Sequence, residues 1–157
     1  MSDNLQELLP YNNKLQKRDL STIEMVVIHC TELPDIKSAR VYGEKVHYAS
    51  GTGNSGHYYV TKSGKTYQWV ENNRIAHHVK GNNQKTIGIE LDNLGRYPHW
   101  HQTNHQIMYD PYPKEQIAAL IKLINKLVIE IPSLKYISKK TLYRYSLDYP
   151  DQLKLNE

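Results

Sequence analysis

Phenylalanine is absent from this chain and tryptophan occurs twice, so thirteen tyrosines carry most of the aromatic burial. There is one cysteine, Cys30, which excludes an internal disulfide framework and favours a reducing compartment. No apolar stretch is long enough to cross a bilayer. The first residues, Met1-Ser2-Asp3-Asn4-Leu5-Gln6, lack the basic start and apolar run of a secretory leader, and none is expected. Neither sign of charge dominates. A net charge of +4, dispersed along the chain, does not point to a nucleic-acid partner. There is no internal repeat, no low-complexity tract and no Gly-x-Ser-x-Gly elbow. Gly51–Gly56 is glycine-rich but lies between a helix and a hairpin, the wrong setting for a nucleotide. Histidine is absent after His105. With 157 residues, the chain is long enough for one domain and too short for two.

What is present is a pair of short, apolar, β-branched runs. Ile23–Cys30 and Thr86–Leu91 read as strands buried on both faces. Between them, Pro34-Asp35 opens a helix with Asp35 as its N-cap and Ala39, Tyr42, Gly43 and Val46 as its stripe. A hairpin follows, Gly56–Val60 with Lys65–Val70. Ile75–Val79 reads as a short strand or an irregular segment. Residues 92–112 form a long loop of the kind that is usually functional or mobile. Pro113 starts a second helix, with Ile117, Leu120, Ile121, Ile124, Leu127 and Ile131 on its apolar side, and Pro132 stops it. Leu134–Ile137 is a last short strand. Interleaved strands and helices give an α/β class: a single domain with a mixed central sheet flanked by helices. Residues 1–21 read as a polar arm and 138–157 as a tail without period.

Two of the buried runs end in chemistry. His29 lies at the exit of the first and Glu90 near the end of the second, where side chains can face a cleft. A histidine and a carboxylate so placed suit metal-assisted hydrolysis. Each also has a plainer reading. His29 alone could be a hydrogen-bonded core residue, and Glu90 could pair with Arg74 or Lys85. His77 and His78 are adjacent, so on a strand they face opposite sides and cannot both serve one site. His57 reads as structural, while His47, His99, His101 and His105 read as solvent-exposed. Cys30 alternates away from His29 and is expected in the core as a small hydrophobe.

Four segments together resemble the zinc-dependent N-acetylmuramoyl-L-alanine amidases, a family shared by bacterial muropeptide amidases, phage amidases and peptidoglycan recognition proteins. They are Val26–Thr31, Gly53–Val60, Ala76–Gly81 and Thr86–Asn93. Gly95 through Gln116 looks like an insert of one bacterial branch. The resemblance implies an amidase-like domain over 22–137. It makes His29 the first zinc ligand, Glu90 the acid beside the attacking water, and His78 a histidine of the substrate cleft. The implied substrate is the amide between N-acetylmuramic acid and the L-alanine of peptidoglycan or its recycled fragments. Cytoplasmic handling of fragments is expected, with no nucleic-acid or membrane partner.

The tail departs from that pattern. The family carries a Gly-His-x-Asp segment and then Lys-x-Asp-Pro, which bring the remaining ligands. Here residues 138–150 contain neither. Asp148 and Asp151 offer oxygen, but one histidine with two distant aspartates holds zinc weakly. The break near Ser138 points to a shifted reading frame or a truncated gene. Impaired hydrolysis is expected, with a non-catalytic muropeptide-binding module as the alternative.

Overall fold

The computed structural model describes residues 4–139 and 152–154. Seven strands form one mixed sheet: β1 (Asn4–Gln6), β2 (Met25–Cys30), β3 (Tyr58–Val60), β4 (Thr66–Gln68), β5 (Thr86–Leu91), β6 (Tyr136–Lys139) and β7 (Gln152–Lys154). Their order is β1-β4-β3-β5-β2-β6-β7. The two apolar runs pair in parallel at the centre, with His29 directly beside Glu90. β3 and β4 form the expected antiparallel hairpin, and β3 pairs in parallel with β5.

Two helices complete the fold, α1 (Ile36–Glu44) and α2 (Lys114–Glu130). Asp35 caps α1, its carboxylate accepting the Ser38 N–H at 2.7 Å. Of the expected α1 stripe only Ala39 and Gly43 are buried; Tyr42 is half-exposed and Val46 lies beyond the helix. The α2 stripe is also turned from its expected setting. Leu120, Leu123 and Leu127 pack on the sheet, whereas Ile117 and Ile121 are 37% and 54% exposed. Gln116 explains the turn. Its amide donates to the carbonyls of Val60 and Asp92, both at 2.9 Å, which fixes that side of the helix over the sheet.

Strand alternation divides the sheet between two cores. Val26, Ile87, Ile89, Tyr58 and Val60 meet α2 on one face. On the other, Tyr59 and Trp69 stack at 3.6 Å between ring centres and pack with Leu9, Tyr11 and Leu15. Those last three residues correct the reading of 1–21 as a surface arm. β1 adds to the sheet edge beside β4, and the following segment is docked rather than free. The three apolar residues follow no helical or strand period, so the pattern gave no signal.

Cys30 also departs from expectation. It lies opposite His29, as alternation requires, but it is half-buried and outside both cores. Its thiol donates to the Asn93 carbonyl at 3.6 Å, beneath the turn after β5, and burial raises its pKa. Ile75–Val79 forms no strand. The last expected strand is shifted to Tyr136–Lys139, with Leu134 buried in the turn before it. Within the tail, β7 pairs antiparallel with β6. Asp148 and Asp151 lie outside the described residues.

Candidate active site

A cleft of about 770 Å³ opens on the face away from α2. Strand register builds its floor. His29 of β2 and Glu90 of β5 are paired neighbours, so their side chains leave the sheet on one face, and both line the cleft. His29 is 8% exposed and Glu90 is half-buried. Arg74, one of the plainer partners for Glu90, is engaged by the Leu15 carbonyl at 3.0 Å and by Glu71 at 3.7 Å.

His78 completes the group. Its Nδ1 lies 2.9 Å from His29 Nε2, and its Nε2 lies 2.9 Å from the Thr86 hydroxyl. The ring rests on Gly88, where an added Cβ would come within 2.7 Å of the imidazole. Any other residue at 88 forces the ring away. Asn83 holds the backbone beneath, its Oδ1 accepting from the N–H groups of His78 and Val79 at 3.0 and 2.8 Å. Gly56 clears the space beside Glu90, since a Cβ there would sit 3.0 Å from the Glu90 Cγ.

His77 corrects the alternation argument. The segment is irregular rather than extended in a sheet, so His77 and His78 both line the cleft. His77 packs edge-on to Tyr48 at 4.9 Å, and its buried Nδ1 has no hydrogen-bond partner among the described residues. His57 is the structural histidine expected. It is fully buried, with Nδ1 accepting the Gly88 N–H at 3.1 Å. Burial, assisted by the charge of Arg18, pushes its pKa down to about 3. His47, His101 and His105 are exposed, but His101 also reaches the cleft rim. His99 is half-buried and stacks on His105 at 4.5 Å.

Three contributors were missed in the sequence. Arg18 donates to the carbonyls of Asn72, Asn83 and Thr86 at 2.9, 3.1 and 2.8 Å, and its guanidinium meets His57 Nε2 at 3.0 Å. Burial lowers its pKa to about 10. Nothing in a polar arm flags one arginine as buried. Tyr59 lies beside Glu90 in register, and burial together with the Glu90 charge raises its pKa. Trp100 comes from the long loop and lines the cleft. Its presence in a loop rich in His, Asn and Tyr was the available signal.

Among the described residues the donor set does not make a zinc site. Among the described residues no three His, Cys, Asp or Glu side chains converge so as to hold a metal ion. His29 and His78 instead share a hydrogen bond.

The fold is shared with solved structures. The endolysin N-acetylmuramoyl-L-alanine amidase LysCS from Clostridium intestinale superimposes with a TM-score of 0.65 at 17% identity, covering 93% of this chain and 86% of that one. The ectodomain complex of peptidoglycan recognition proteins LCa and LCx, solved with tracheal cytotoxin, gives 0.60 at 18% identity over 80% and 74%. The amidase AmiD from E. coli, solved with anhydro-N-acetylmuramic acid-L-Ala-D-γ-Glu-L-Lys, gives 0.55 at 26% identity. That match covers 71% of this chain and 45% of AmiD. A comparison with curated proteins gives no match. The pattern of the N-acetylmuramoyl-L-alanine amidases runs across residues 19–140, and so spans every strand and helix that builds the cleft. The chain therefore belongs to the N-acetylmuramoyl-L-alanine amidase family, whose reaction is hydrolysis of the amide between N-acetylmuramic acid and L-alanine.

Proposed function

We propose that this chain acts on the muramyl–L-alanine amide of peptidoglycan fragments, with Glu90 as the general base. Glu90 takes the proton of the attacking water and returns it to the leaving amine nitrogen. His78 contacts substrate from the cleft wall. His29 would be the imidazole offered to zinc, which one histidine with oxygen donors holds weakly. The observation that carries this reading is the pairing of His29 with Glu90 on the open face of adjacent strands. A free Cys30 thiol suits a reducing compartment, which favours cytoplasmic, recycled fragments over the intact wall. No helix among the described residues is long and apolar enough to cross a membrane.

A second reading has its own support. The His29–His78 hydrogen bond and the lack of a three-donor cluster among the described residues suit a metal-free module that grips muropeptides without cutting them. Elemental analysis of the purified chain, with an assay for stem-peptide release from a muramyl tripeptide, separates the two. Stoichiometric zinc with release supports the enzyme, and metal-free binding without release supports the module. A version whose C-terminus restores Gly-His-x-Asp and Lys-x-Asp-Pro should gain both zinc and rate. Glu90→Gln should abolish release and leave binding intact; release that survives the change removes Glu90 from the role of base.

A further inference from the structure

The cleft differs in chemistry from one end to the other, and the order of its residues along the strands is fixed. At the start of β5, His78 bonds Thr86, and Lys80 lines the cleft from the same segment. Four residues further along the strand, Glu90 stands beside His29. Past the end of β2, Glu32 and Trp100 close the other end.

Charge is distributed unevenly over that length. Lys80 is exposed and, among the described residues lining the cleft, is the one lysine or arginine. At the opposite end the Glu32 carboxylate is already neutralised. It accepts from Arg96 Nε and a terminal guanidinium nitrogen, both at 2.7 Å, and from the Arg96 backbone N–H at 2.9 Å. Such a two-pronged pair is rigid. Glu32 takes a positive φ of 52°, and Gly95 passes so close that a Cβ there would lie 2.5 Å from the Glu32 Cγ. This clamp fixes the loop that carries Trp100.

Trp100 has its own polar group occupied, since its indole N–H donates to the Glu32 carbonyl at 3.0 Å. One side of the half-buried ring packs on the second core. What remains for the cleft is aromatic carbon surface. One end therefore offers an uncharged aromatic wall, and the other offers an ammonium group.

We propose that these ends read the two halves of the substrate: the muramyl sugar lies against Trp100, and the acidic stem peptide runs toward Lys80. This rests on the amidase reading above. A muramyl peptide has the same asymmetry about its scissile amide. The sugar side is a saccharide ring whose C–H face suits an aromatic plane, and the peptide side carries carboxylates that suit a lysine. The order Trp100, His29 with Glu90, Lys80 sets that amide over the central pair.

Calorimetric titration of the full chain with three ligands tests the assignment: muramyl-L-Ala-D-γ-Glu-L-Lys, the same tripeptide without the sugar, and the muramyl tripeptide with both its D-Glu and its L-Lys carboxylates amidated. Trp100→Ala should weaken the muramyl tripeptide about tenfold, the size of an aromatic contact. It should leave the sugar-free peptide within about twofold, and Trp100→Phe should restore most of the loss. Lys80→Gln should weaken both carboxylate ligands about threefold, as for a solvent-exposed ion pair, with no effect on the amidated ligand and rescue by Lys80→Arg. Equal losses for sugar-bearing and sugar-free ligands in Trp100→Ala overturn the sugar assignment. A Lys80→Gln loss that persists on amidation overturns the peptide assignment. If the unaltered chain binds none of the three, the amidase reading itself fails and the polarity falls with it.

Discussion

On β2 and β5 the two faces of one sheet carry opposite contents. Toward α2, Val26, Ile87 and Ile89 are completely buried and apolar. Toward the cleft, the same strands present His29, Gly88 and Glu90. The first face is defined by what fills it, the second by what is left open. Alternation lets a six-residue strand do both, because a neighbouring residue on the opposite face supplies the burial that a polar one forgoes. The difference teaches where each kind of change should register: filling-face changes in stability, open-face changes in binding and rate.

The sharpest test on the filled face is Leu127→Ala. Leu127 is completely buried between α2 and the sheet. Its truncation should lower unfolding free energy by about 3 kcal/mol, measured by urea denaturation, while muropeptide affinity of the folded protein stays within about twofold. A loss below about 1 kcal/mol would show that this face is not packed as described.

Gly88→Ala reverses the expectation on the open face. In a strand, alanine is ordinarily at least as good as glycine. Here the new methyl group meets the His78 ring at 2.7 Å, and the ring must leave His29 or Thr86. The stability cost should be about 1–2 kcal/mol, typical of overpacking, with a fall in muropeptide affinity of about fivefold or more. Unchanged affinity would separate the position of the His78 ring from ligand binding.

The two faces were not equally legible in the sequence. The filled face was: uninterrupted β-branched runs announce strands buried on both sides, and Thr86–Leu91 was placed to the residue. Asp35 and Pro113 marked the helix starts because capping and proline chemistry are local. On the open face, His29 and Glu90 could be seen at strand ends, and the resemblance added His78. What could not be read was anything set by contact between distant segments. Gln116 turned α2 by bonding the carbonyls of Val60 in β3 and Asp92 just past β5, and Arg18 crossed from the N-terminal segment to reach His57. His77 joined the cleft because its segment is irregular, a conformation on which the alternation rule is silent.

His57 lies on the open face, behind the cleft. It borders the second core, and its ring stands 5.8 Å from that of His78. It is fully buried beside Arg18, and its pKa falls to about 3 from an ordinary 6.5. In the unfolded chain the imidazole takes up a proton as pH drops through about 6.5, whereas the folded protein keeps it neutral down to about 3. The unfolded state then holds more protons, so stability rises with pH between those limits and is lost on acidification. His57 alone gives a slope of up to about 1.4 kcal/mol per pH unit. Urea midpoints measured from about pH 6.5 down to about pH 4.5 should show it, ahead of the carboxylates, which titrate lower. His57→Gln removes the titrating group, so its stability should start lower but decline less steeply over the same interval. If both proteins lose stability in parallel, the acid sensitivity belongs to another group and not to the imidazole buried behind the cleft.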